Sequence, residues 1–255
     1  SKGPTWHAWS ILAAFGSALS GQIVLLCFLY SLDPACLMFA NRIGLNLFLM
    51  PVFLTVTHRM LPFFAANAVR GYRLWRPFWL LGCIWAGVVS LSLGELMVVP
   101  ALRGGGAALL TVLTSLMVWK WWPRGKAPAL LWVLVIGFAW APVGYALALL
   151  DSTGIWLGRA PDHALTIGFA VSLIIAMVTR VTQGHSGRPL TLPVASAIAF
   201  AGVQLATLTR IGAAVAGEQV GILVVSSAIM VLTLTPWMVR NALIYLRARL
   251  DGKAG

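Results

Sequence analysis

Residues 163–189 read HALTIGFAVSLIIAMVTRVTQGHSGRP, and this stretch decides the fold. From His163 to Gln183 it is apolar over about 20 residues, the length at which a helix crosses the hydrocarbon of a bilayer. It then closes on Arg180, Gln183, His185 and Arg188, with Gly184 and Gly187 flanking the histidine. Such a polar group at the mouth of a membrane helix is costly unless it binds something. Glycines let the backbone turn sharply and approach a partner closely, and Pro189 stops the helix from running on. Two readings stay open: a helix stop with basic residues at a membrane surface, and a ligand or anion site centred on His185.

The rest of the chain agrees with a membrane setting. Of its 255 residues 60% are hydrophobic and only 9% charged, with a mean hydropathy of +0.91, whereas a soluble domain carries about 25% charged residues. We therefore expect an all-α, polytopic transmembrane helix bundle forming one integral membrane domain over residues 1–255. The net charge of +12 raises nucleic acid as a partner. That reading fails, because the basic residues lie in short loops between apolar spans, where they mark topology. Cys27, Cys36 and Cys83 show no CxxC and no paired spacing, which removes a disulfide framework, a zinc ribbon and covalently attached c-type haem. No GxGxxG, P-loop, GxSxG or HExxH motif supports hydrolase or nucleotide-driven chemistry. The sequence names no catalytic residue and leaves open whether the protein is an enzyme.

Measured against the length of a bilayer crossing, the chain holds about eight spans. They run Trp9–Tyr30, Leu37–Thr57, Pro77–Val99, Gly104–Trp119, Ala129–Leu150, His163–Gln183, Leu192 to about Ala216, and Val220 to Pro236. Trp237–Tyr245 either continues the last span or forms an interfacial helix. A polar segment, His58 to Arg76, separates the second and third spans. The opening SKGPTWHAW shows no cleavable signal, so the first span is expected to stay in the membrane. Eight spans put both termini on one side. That side gathers Lys2, Arg59, Arg70, Arg73, Arg76, Lys120, Arg124, Lys126, Arg180, Arg188, Arg240, Arg247, Arg249 and Lys253, opposed only by Asp251. The far side holds Arg42, Arg103, Arg159 and Arg210 with Asp33, Glu95, Asp151, Asp162 and Glu218. The positive-inside rule then places both termini in the cytoplasm, as expected for a multi-pass protein of a bacterial inner membrane. Tryptophans near the span ends, among them Trp9, Trp79, Trp119, Trp122, Trp156 and Trp237, fit an interfacial aromatic belt.

The histidines and the buried charges are the candidate sites. His163 and His185 are 22 residues apart, roughly 33 Å along a helix, so they do not share one metal ion. His58 and His185 can share one if their spans are neighbours. His58, followed by Arg59 and Met60, and His185 read as ligand candidates, with His163 belonging to another site or to structure. His7 reads as an interfacial residue bonded to water or backbone. Imidazole and Met are both haem ligands, and Arg59, Arg180 and Arg188 are placed to pair with propionates. Arg42 and Arg210 lie inside spans near the face that Glu95 and Glu218 approach, so Arg42 or Arg210 is expected to pair with Glu95 or with a bound anion. A structural ion pair that fixes helix packing explains them equally well.

His163 to Pro189 also resembles the signature of the NnrS family of bacterial membrane proteins. Arg59 to Phe64, RMLPFF, is similar to that family's RxxPFF-like segment. LLWVLVIGFAWAPVGYAL in the fifth span resembles its counterpart, and RARLDGKAG resembles the family's close. The resemblance implies a polytopic protein holding haem b, with copper as a second cofactor, that protects against nitric oxide and nitrosative stress. It implies haem ligation through histidines of these motifs, here His163 and His185. It further implies a shortened member without the family's early WHxHE-type region, of which Trp6-His7 is the echo. Its expected partners are a diatomic ligand such as nitric oxide, the lipid bilayer and other membrane subunits. Two other functions remain open on the residues alone. One is a transporter of a small anion or proton, with Pro51, Gly104–Gly106 and Pro236 interrupting spans and Arg42 and Arg210 facing the substrate. The other is a non-catalytic accessory subunit of a larger complex.

Overall fold

The computed structural model describes residues 5–250, so Lys2, Asp251, Lys253 and the Asp251-Gly252 pair of the closing motif lie outside the described residues. The described residues form helices and no strands. Eight helices are long and apolar enough to cross a membrane: α1 (Trp6–Ser31), α2 (Pro34–Ala68), α3 (Trp79–Leu96), α4 (Pro100–Trp121), α5 (Ala129–Ser152), α6 (Ala160–His185), α7 (Val194–Val215) and α8 (Val220–Tyr245). The protein is an all-α, multi-pass membrane protein.

Local chemistry sets the helix ends. Asp33 caps α2, its Oδ1 accepting from the Ala35 N–H at 2.9 Å, and Pro34 occupies the first turn, where a missing N–H does no harm. Serines and threonines inside the spans turn their hydroxyls back onto the preceding turn, as Thr114 does onto the Leu110 carbonyl at 2.6 Å and Ser92 onto that of Val88 at 2.7 Å. In a bilayer that local bond spares each hydroxyl a search for water.

Two expectations need correction. First, α2 is 35 residues long and does not stop at Thr57. The segment after His58 is apolar enough on one face (Leu61, Phe64 and Ala65 are buried) to stay helical to Ala68. His58 therefore lies inside a helix and not at its end. Second, the prolines and glycines do not interrupt the spans. Pro51 follows a π-helical segment, Ile43–Leu49, in which the Met50 N–H reaches back five residues to the Leu45 carbonyl. The wider turn absorbs the donor that proline lacks. Pro236 lies within a continuous α8. The glycines of α4 serve close packing: a Cβ on Gly106 would strike the backbone of Leu91 on α3.

Packing gathers the chain into two compact units that interleave along the sequence. The first comprises Ser1–Phe63, Arg73–Lys120 and Tyr145–Ile155; the second comprises Phe64–Tyr72, Trp121–Gly144 and Trp156–Gly255. In the first, α1 runs antiparallel to α2, with Gly21 against Ile43 at one level and Ser10 against Thr55 at another. In the second, α6, α7 and α8 pack around Ile175, Ala199, Val203 and Trp237. The Trp237 indole N–H donates to Thr179 at 2.9 Å inside that core. Enclosure differs widely between spans: 56% of the central window of α6 is buried, against 11% for α1 and α8. The last two are therefore the least enclosed of the eight spans.

Candidate functional site

Three polar constellations stand out, two in the first unit and one in the second. At one end of the first unit, His7 on the first turn of α1 faces His58 on α2, with His7 Nε2 2.9 Å from His58 Nδ1. Three residues along each helix, Ser10 Oγ meets Thr55 Oγ1 at 2.7 Å, and the Trp85 indole N–H donates to the same Ser10 at 2.8 Å. The i, i+3 spacing on both helices puts each pair on one face, so the contacts form two rungs between antiparallel helices. His58 is fully buried, and its Nε2 lies 3.2 Å from the Pro77 carbonyl. A carbonyl only accepts, so Nε2 carries the proton and Nδ1 is left as the acceptor. Phe78 closes the pair from the side, edge-on to His7 with ring centroids 5.4 Å apart.

This arrangement is the one that ligating histidines keep, with the remote ring nitrogen tied to a carbonyl and the other turned to the ion. Two imidazole nitrogens at about 2.0–2.1 Å from one ion stand about 2.9 Å apart at a right angle, as in square-planar copper, and about 3.3 Å apart in a tetrahedral site. The 2.9 Å separation is that of a hydrogen bond, and it equals the spacing of two nitrogens on an ion only in right-angle ligation. Among the described residues no group of three or more His, Cys, Asp or Glu gathers into such a site, and the three cysteines form no disulfide. Arg59 is exposed beside the pair, and its carbonyl accepts from Arg76 at 3.4 Å. Met60, two residues beyond His58, projects from a different helix face. His7 was expected at an interface bonded to water or backbone, and it instead pairs with His58. The signal lay in the matched spacings His7-x-x-Ser10 and Thr55-x-x-His58, legible only once the two helices are known to be antiparallel neighbours.

At the other end of the first unit, Glu95 on α3 joins three elements. Its Oε2 accepts from Asn46 Nδ2 at 2.8 Å and lies 3.7 Å from Arg42 Nε, and its Oε1 lies 3.5 Å from Arg103 Nε. Arg103 NH2 in turn donates to Asp151 Oδ2 at 2.6 Å. Asn46 comes from the π-helical segment of α2. Arg103 and Asp151 were read as loop-end charges, yet they extend the Arg42–Glu95 pair into a four-charge chain. Arg210 does not join it. It belongs to the second unit, where its NH2 donates to Ser227 at 2.8 Å and its Nε is buried without a partner.

In the second unit, α6 ends in a Schellman turn. The Gly187 N–H reaches the Gly184 carbonyl and the Arg188 N–H reaches that of Gln183 at 2.9 Å, with Gly187 in the left-handed region at φ 68°. Of the two glycines, Gly187 makes the turn and Gly184 stays helical. His185 occupies the last helical position and is exposed. The Ser186 carbonyl accepts from the Leu250 N–H at 3.1 Å, and Thr182 meets the Tyr245 hydroxyl at 2.8 Å, so the end of α8 closes on this mouth. Arg188 NH1 and Gln183 Oε1 are buried without hydrogen-bond partners. Arg240 lies close enough to Arg188 for their charges to repel. Arg180 stacks on the Phe64 ring at 4.0 Å. Burial raises the phenol of Tyr72, in the loop after α2, to about 12, so it stays a neutral hydroxyl. His163 sits at the opposite end of α6, its Nε2 buried and unpartnered. A further link escaped the sequence: Trp140 donates to Gln204 at 2.6 Å, and Gln204 donates to Ser172 at 2.7 Å, tying α5, α7 and α6 in mid-span.

A family model described as "NnrS protein" matches residues 1–249. No curated protein and no solved structure matches the chain.

Proposed function

The chain belongs to the NnrS family, and from that premise we propose that it is a haem- and copper-binding protein of a bacterial inner membrane that protects against nitric oxide and nitrosative stress. The haem half of this reading is carried by one observation: Arg188 NH1 is buried without a hydrogen-bond partner three residues after the exposed His185. An unpartnered buried guanidinium nitrogen is costly, and a propionate satisfies it while His185 meets the iron. Arg240, near enough for its charge to act on Arg188, adds a second cation. Arg180, stacked on Phe64, lies near the same end of α6. Haem, when bound, supplies the redox and diatomic-ligand chemistry. This chain's residues hold it, neutralise its carboxylates and limit its contact with water.

Copper has its seat at His7 and His58. Burial of His58 and its bond to the Pro77 carbonyl fix which nitrogen faces outward. The two cofactors then occupy different units, and His163, about a helix length from His185, ligates neither. An absorption spectrum and a metal analysis of the purified protein test both halves. A Soret band shifted by reduction and by nitric oxide, and lost or moved in His185→Ala, is expected. Copper is expected to fall in His7→Ala without a change in that band. A colourless wild-type protein, or a band indifferent to His185→Ala, sinks the haem half.

A further inference from the structure

We propose that the cavity at the Glu95 end of the first unit binds a small organic monocarboxylate. This goes beyond the haem and copper reading and does not rest on it. The cavity encloses about 440 Å³, within the size range of small-ligand pockets. Four charged side chains line it, Arg42, Glu95, Arg103 and Asp151. Arg42 enters from nine residues into α2. Charges placed inside membrane spans face cavities or partners because lipid will not take them.

The two signs are not equally presented to the cavity. The side chains of Glu95 and Asp151 are 12% and 16% exposed, those of Arg42 and Arg103 35% and 24%. Neighbours already engage the carboxylates: Asn46, itself 4% exposed, donates to Glu95, and Arg103 donates to Asp151 at 2.6 Å. Arg103 Nε is buried and makes no hydrogen bond, since Glu95 Oε1 at 3.5 Å is near but poorly aligned. The donor left over is therefore a guanidinium N–H, that of Arg103 Nε, and a carboxylate accepts from such a group. The four charges sum to zero, so one added negative charge is tolerated and a second is repelled. Met38, Phe39, Leu96 and Val98 are among the other lining residues, and this apolar part of the wall favours an organic acid over a hydrated inorganic ion. Close packing keeps the cluster together. A Cβ on Gly94 would land on the Arg103 backbone, and one on Gly104 would press on Ser152 Oγ, so α3, α4 and the end of α5 approach as only glycine permits.

The test uses the whole purified protein in detergent, titrated calorimetrically with sodium benzoate against a background of sodium chloride at matched ionic strength. Saturable 1:1 binding by the wild type is expected. Arg42→Gln should weaken it at least tenfold, and Met38→Trp, which fills the apolar wall and leaves all four charges, should abolish it. Met38→Trp keeps the test decisive where an Arg42 variant fails to fold. The proposal is overturned if benzoate shows no saturable binding, if both variants bind as the wild type does, or if chloride displaces benzoate as an equal competitor. The Soret band is expected to stay unchanged throughout, so failure here is separate from failure of the haem reading.

Discussion

His7 Nε2 stands 2.9 Å from His58 Nδ1, and three residues along each helix Ser10 stands 2.7 Å from Thr55. These paired rungs hold the start of α1 against the second half of α2. They also place the one His–His contact among the described residues where His58 is sealed from water. His7→Ala is expected to cost about 1–3 kcal/mol, the penalty for a buried acceptor left unpaired. Thermal unfolding in detergent measures it. A His7→Ala protein as stable as the wild type, with its copper intact, would show that the pair neither packs the helices nor holds an ion.

Two of the ion pairs of the Glu95 cluster, Arg103–Asp151 and Arg42–Glu95, should differ in strength. Arg103 and Asp151 meet at 2.6 Å with side chains 24% and 16% exposed, whereas Arg42 and Glu95 stand at 3.7 Å with Arg42 35% exposed. Breaking a buried pair costs about 3–5 kcal/mol, and an exposed one far less. Asp151→Asn should therefore lower stability more than Arg42→Gln does. A double-mutant cycle on Arg42 and Glu95 should still give a measurable coupling; strict additivity removes that pair from the network.

Adjacent glycines of α4 offer a matched comparison. A Cβ at Gly106 would collide with the Leu91 backbone, whereas one at Gly105 meets nothing within 4 Å. Gly106→Ala should destabilise by about 1–3 kcal/mol through overpacking. Gly105→Ala should be neutral or stabilising by up to about 1 kcal/mol, since alanine is the better helix former. Equal melting temperatures for the two variants would contradict the close α3–α4 approach.

Topology follows from the loop charges. Reporters fused after Arg73 and after Lys126 should report cytoplasm, and one between Asp151 and Asp162 should report the other side. A cytoplasmic signal from the last fusion is incompatible with eight crossings in this orientation.

Arg188→Ala should weaken haem retention without altering the spectrum of the haem that remains, because a propionate contact positions the ring and does not bond to iron. His163→Ala should leave that haem in place, since the two histidines lie at opposite ends of α6. Iron found beside His163 would reverse the assignment.

The number of crossings, their approximate limits and the all-helical class were legible in the sequence. Apolar runs of bilayer length admit little else, because every backbone N–H and C=O in lipid must be bonded within its own segment. Of the pairings between distant residues, only that of Arg42 with Glu95 was legible, because both are charges set within apolar spans near one face. Nothing in the order of residues says that His7 meets His58, that Asn46 reaches Glu95 through a π-helical turn, or that Arg103 bridges Glu95 and Asp151. The length of α2 was misread because His58 and Arg59 look like a helix stop. The buried face of Leu61, Phe64 and Ala65 shows why the helix continues. Hydrophobicity along the chain sets where helices cross. Which faces of those helices meet depends on side-chain shape and on the close approach that single glycines allow, and only the tertiary structure decides it.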